Sequence, residues 1–204
     1  MLLIRDYKRL MAKTLWVLTC LFSLFSHPSF AQPIESSLGY RINIDSKQMT
    51  FISRELLNPE ATLSESHPLW QKIIQQLRAH QQNQDYFFWN ETLQFEFKDT
   101  IRISLMMEKA PTDLLSAQTF CDNFTQILGA VYQKPVQIYQ CIQIPRPEGN
   151  LLFTEYDGAT PNARIMTVHL NSPYGAYEVT ASVDVRRLDQ RRKEFLAFIK
   201  QMQL

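Results

Sequence analysis

The chain has 204 residues, of which 45% are hydrophobic and 20% charged, with a formal net charge of +1. That length suits one domain behind a leader, and that hydrophobic share excludes a disordered chain. The near-neutral charge excludes bulk electrostatic capture of nucleic acid or of an anionic membrane.

Residues 1–31 read as a signal peptide. Arg5, Lys8, Arg9 and Lys13 against Asp6 give the leader +3, which leaves −2 for the rest of a chain that totals +1. The apolar run 15–25 has the length of a signal core and is short for a bilayer span. Ser29 and Ala31 are the small residues a signal peptidase reads, so cleavage is expected between Ala31 and Gln32. Met11 is an alternative start, with Lys13 then supplying the charge, and Cys20 continues the leader's apolar run. An uncleaved anchor is the competing reading, which the short core opposes. The expected product is periplasmic or secreted, 32–204, a single α+β domain with no stable membrane insertion after cleavage.

Residues 38–44 alternate apolar and polar and predict a half-buried strand, with 47–53 its partner across an Asp45-Ser46 turn. A loop follows over 58–66, then a helix over 67–80. Pro68 suits that helix's first position, and Leu69, Trp70, Ile73, Ile74 and Leu77 form its apolar stripe. The run Tyr86, Phe87, Phe88 and Trp89 reads either as a core or edge strand or as an exposed recognition patch. Leu93, Phe95 and Phe97 alternate with polar residues, as do Ile101, Ile103 and Leu105, which predicts a hairpin turning at 98–100. A second helix is expected over 111–132 and a strand over 136–144. Residues 151–156 are short and apolar, and 163–170 with 177–185 form another hairpin. In 177–185, Tyr177, Val179, Ala181, Val183 and Val185 share one face. The last helix closes that face with Leu188, Phe195, Phe198, Ile199 and Met202. The expected fold is α+β: one antiparallel sheet of about six or seven strands with helices packed on it.

This order resembles the Mog1/PsbP-like superfamily over roughly residues 100–204. The corresponding segments are IRISLMMEKAPTDLLSAQTFCDNF, LLFTEYDG, ARIMTVHL, AYEVTASV and RKEFLAFIKQM. The family places a strand and helix before a run of antiparallel strands, with a C-terminal helix laid on the sheet. Its members are largely non-catalytic, exported or assembly-linked modules, so the resemblance implies binding more than chemistry.

After cleavage, Cys121 and Cys141 are the only cysteines, and an oxidising compartment favours one disulfide between them. Cys121 lies on its helix's apolar stripe, while simple alternation puts Cys141 with Gln137, Tyr139 and Gln143. The two meet only if the helix packs on that strand face or if the strand is bulged.

His67 and His80 bracket one helix about 20 Å apart, too far to share a metal. His169 stands on a polar strand face, so no metal or cofactor is expected. No Gly-flanked nucleophilic serine and no phosphate-cradling loop is present. Arg186, Arg187, Arg191, Arg192 and Lys193 gather at the last helix's start. They read either as a solvated face paired with Asp184, Asp189 and Glu194 or as a docking patch for an acidic protein partner. Two functions stand open. One is an exported, non-catalytic binding or assembly-accessory module. The other is a small secreted hydrolase-like enzyme with a site assembled from scattered residues.

Overall fold

Alternating strands dictate the architecture, because each must bury one row of side chains. The computed structural model describes residues 31–58, 60, 68–80, 83–106, 108–111, 113–146, 150–173 and 175–204. The expected leader lies outside them except for Ala31, as do Cys20 and His67. The strands are β1 (Ala31–Glu35), β2 (Arg41–Asp45), β3 (Met49–Ile52), β4 (Gln84–Trp89), β5 (Thr100–Met106), β6 (Ile138–Ile144), β7 (Leu151–Asp157), β8 (Ala163–Ser172) and β9 (Gly175–Asp184). The helices are α1 (Pro68–His80), α2 (Leu114–Tyr132) and α3 (Leu188–Gln201). β1 and β2 form a separate hairpin, and the other seven strands form one sheet in the order β3-β4-β5-β9-β8-β7-β6. Every neighbouring pair in it is antiparallel.

One face of this sheet carries the main core. Ile101 and Ile103 of β5, Met166 and Val168 of β8, and Tyr177, Val179, Ala181 and Val183 of β9 meet Phe195, Phe198 and Ile199 of α3. The β1–β2 hairpin extends the cover with Tyr40, Ile42 and Ile44. Its turn uses Gly39 at φ +93°, a conformation glycine adopts without Cβ strain. Beside it the Tyr177 hydroxyl donates to the Leu38 carbonyl at 2.7 Å. A buried Asp85 pins the hairpin to β4, accepting from the Tyr40 hydroxyl at 2.7 Å, the Arg54 N–H at 2.8 Å and the Ser36 hydroxyl.

Two helices share the opposite face without meeting over its middle. α1 sets Ile73 and Ile74 on Tyr86 and Phe88 of β4 and Ile52 of β3. At the other end, Leu128 of α2 packs with Val136 and Tyr156. Asp113 caps α2 by accepting the Ser116 N–H at 2.8 Å, so the helix begins later than position 111. It continues through Gly129 and ends where Gln133 turns left-handed at φ 53°.

One local expectation is corrected, and one open reading is decided. Residues 93–97 form turns rather than a strand, and β5 pairs instead with β4, Phe87 opposite Ile101. The buried Thr92 hydroxyl takes the Asp99 N–H at 3.0 Å and donates to the Trp89 carbonyl at 2.9 Å, which commits 90–99 to the connection. Tyr86, Phe87, Phe88 and Trp89 are buried, 5%, 0%, 4% and 4% exposed, so they form no exposed aromatic patch: Phe87 and Trp89 join the main core, and Tyr86 and Phe88 pack on the α1 side. Aromatic side chains fit a pleated, enclosed strand, and this run displaced the weaker alternation that follows it.

The disulfide joins Cys121 of α2 to Cys141 of β6, with Cα atoms 5.9 Å apart. Register in β6 shifts between Ile138 and Gln140, so Ile138 stands opposite Tyr156 and Cys141 opposite Thr154. One extra residue inverts the alternation beyond it. Ile138 and Cys141 therefore both face α2, which simple alternation forbids. Gln32–Leu204 forms one compact unit. Among the described residues, no helix is long and apolar enough to cross a membrane.

Candidate functional site

The space between α1 and α2 lies over the polar side of the sheet's central strands. The same alternation that sends Ile101, Ile103, Val179 and Ala181 into the core turns Thr100, Arg102, Glu178, Thr180 and Ser182 to the other face. A cleft of about 470 Å³ opens there, floored by Thr100, Arg102, Thr180 and Ser182. Its walls come from Gln76 and Leu77 of α1, Tyr132 at the end of α2, and Phe88, Tyr156 and Ile165 of the flanking strands.

A chain of polar and charged groups starts at Arg102 and runs along the same sheet face. Arg102 Nη2 donates to Glu178 Oε1 at 3.0 Å, and His169 Nε2 stands 3.5 Å from Glu178 Oε2. Thr180 also donates to Oε1 at 3.5 Å and shares a 3.2 Å contact with Thr167. The hydrogen bond from His169 holds the Glu178 carboxyl below its ordinary range, with Arg102 adding to it and burial opposing. Burial pushes the phenols of Tyr86 and Tyr156 up to about 12 and raises Tyr132. All three therefore keep their protons near neutral pH. Arg102 Nε, Thr154 Oγ1 and His169 Nδ1 are buried without a hydrogen-bond partner. Such groups cost about 1–3 kcal/mol each.

A slightly larger hollow, about 530 Å³, lies beside Asn171, Pro173, Lys200 and Leu204. Its lining is the end of β8, the last turn of α3 and the flanking residues Arg146, Asn150, Pro173, Met202, Gln203 and Leu204, whereas the cleft is floored by the central strands β5 and β9. We therefore take the cleft as the site.

The arginine group at the head of α3 lies on the opposite face. Arg191 is 1% exposed and donates to Asp99 at 2.8 Å, to Glu194 at 2.6 Å and to Glu91, with Trp89 under its guanidinium. Arg187 forks onto Asp99 at 2.7 and 2.9 Å, and Arg192 onto Glu155 at 2.8 and 2.9 Å. Burial would raise the Asp99 carboxyl, but the bonds from Arg187, Arg191 and the Asp184 N–H outweigh it and hold the group low. The structure thus brings four of the five cations into ion pairs, with Arg186 on Asp184 at 2.6 Å, and leaves Lys193 exposed. A docking role fails for Arg191, whose side chain is enclosed. The pairings with Asp184, Asp189 and Glu194 are present, while Asp99 and Glu155 had no sequence signal.

Among the described residues, no three His, Cys, Asp or Glu side chains converge as a metal site. No hydrogen bond joins His169 to a serine, threonine or cysteine among them. Sequence reasoning missed the cleft. Its available signal was the polar alternation of 100–104 and 178–182 on adjacent strands, which marks a sheet face left open to solvent.

No family model matches the chain, and no curated protein matches it by sequence. Among solved structures it is similar to the cyanobacterial PsbP of Synechocystis sp. PCC 6803, at 11% identity and a TM-score of 0.55. That match covers 88% of this chain and 95% of the other. It also matches the Saccharomyces cerevisiae Ran-binding protein Mog1p at 10% identity and a TM-score of 0.46, over 85% of this chain and 94% of that one. The chain has the Mog1/PsbP-like fold.

Proposed function

We propose that this chain is an exported, non-catalytic binding or assembly-accessory module that takes its ligand in the cleft between α1 and α2. One observation carries the reading. Beside the cleft both oxygens of Glu178 are taken up, by Arg102, Thr180 and His169. A general base must instead reach a nucleophile or substrate proton. The disulfide supports an oxidising destination, periplasmic or outside the cell. The resemblance drawn from the sequence points the same way, toward binding. The hydrolase reading lacks a supporting contact.

The test is recovery of bound material, protein or small molecule, from the native envelope or medium. The mature chain is compared with a Ser182→Trp variant of equal melting temperature, in which the indole fills the cleft. Material retained by the first and lost by the second supports the proposal. A hydrolytic activity abolished by one polar substitution, with the melt unchanged, overturns it.

A further inference from the structure

The lining of the cleft has a chemical bias that narrows its ligand. Arg102 is its one ionised residue, with the side chain 30% exposed and one terminal nitrogen engaged by Glu178. No carboxylate lines it: Glu178 stands beside it on the same sheet face, its two oxygens occupied by Arg102, Thr180 and His169. The hydroxyl-bearing Thr100, Thr180, Ser182, Tyr86, Tyr132 and Tyr156 and the Gln76 amide complete the polar lining. The Tyr132 and Tyr156 phenols stay protonated and can donate.

This inventory discriminates among ligand classes. A cation would face a guanidinium with no counter-charge on the walls. A sugar presents many donors and is best held by carboxylate acceptors, which the walls lack. An anion finds the part of the Arg102 guanidinium that Glu178 leaves unengaged and several O–H donors, and hydrogen bonds to an ionised partner are the stronger class. The remaining walls, Phe88, Leu77 and Ile165 with the tyrosine rings, suit a flat apolar body stacked against aromatic faces. The volume falls in the range of sites that enclose small organic ligands.

Resting on the reading of the cleft as the binding site, we propose that its ligand is a small organic acid. A carboxylate sits on Arg102 and a planar apolar body lies among Phe88, Tyr132 and Tyr156.

Calorimetric titration of the mature chain with 2-naphthoate, 2-naphthamide and naphthylmethylammonium tests this. The proposal expects naphthoate to bind, the amide at least tenfold more weakly, and the ammonium not at all. Arg102→Gln keeps a donor for Glu178 but removes the charge, and it should erase the preference of acid over amide. Tyr132→Phe should weaken naphthoate a few-fold with the melt unchanged, which keeps the test decisive if Arg102→Gln folds poorly. Equal binding of acid and amide by the unaltered chain overturns the acid specificity and leaves the cleft as a binding site. Failure of all three probes at millimolar concentration overturns the proposal too. If native material is then also retained equally by Ser182→Trp, the cleft reading falls with it.

Discussion

Replacing Arg191 with Met removes the guanidinium that ties α3 to the β4–β5 connection. Arg191 is 1% exposed and Asp99 is 0% exposed, and their bond is 2.8 Å long. Breaking a buried pair by deleting one partner costs about 3–5 kcal/mol, because the remaining charge stays buried. Asp99 keeps both bonds from Arg187 and the Asp184 N–H, so the lower end applies, about 3 kcal/mol. For a domain of this size each kcal/mol moves the melting temperature by about 2–4 °C, so the expected fall is about 6–12 °C. Arg41→Met is the control. Its side chain and that of its partner Glu35 are 67% and 68% exposed, and such an exposed pair contributes about 0–1 kcal/mol. Thermal melts of the two variants decide the matter. A loss in Arg191→Met no larger than in Arg41→Met would refute the argument that the buried network, rather than surface charge, holds α3.

Phe195→Ala empties a fully buried position in the main core and should cost about 3–5 kcal/mol, measured by urea denaturation. Replacing Cys121 and Cys141 by Ser opens a loop spanning 20 residues and should cost about 3 kcal/mol by the chain-entropy model. Alkylation of the unreduced protein should add no mass. Acid should destabilise the fold: the Asp99, Glu178 and Asp184 carboxyls all sit below their ordinary values, Asp184 at about 2. Their stabilisation is therefore complete above the unfolded values near 4 and is lost as pH falls through the folded ones. Denaturant midpoints from pH 6 to pH 2 should fall, with a shallower decline in Asp184→Asn. N-terminal sequencing of the exported protein should begin at Gln32.

The strands that alternate cleanly were legible because period two is a property of local sequence. β5, β8 and β9 follow from it directly, as the apolar stripe of α3 follows from the helical period of 3.6. The failures have local physical causes. At 93–97 the alternation is real, but the Thr92 hydroxyl and the neighbouring aromatic run take the segment out of the sheet. At β6 one extra residue reverses the faces, and bulges leave no reliable mark in composition. The arginines at the head of α3 looked like a solvated cluster because the acids nearest in sequence, Asp184, Asp189 and Glu194, already offered each a local partner. The decisive partner, Asp99, is 92 residues away from Arg191. The cleft was illegible for a related reason, since it exists only where α1 and α2 stop short of each other over strands that pair β5 with β9.

The most direct test of binding through the cleft is chemical-shift mapping on isotopically labelled mature chain, titrated with small-molecule and protein fractions of its native compartment. The account predicts saturable shifts concentrated at Gln76, Thr100, Tyr132 and Ser182, with the backbone signals of Glu35 and Lys47 on the other face unchanged. Shifts centred on the β1–β2 hairpin or the head of α3, with the cleft silent, would contradict it.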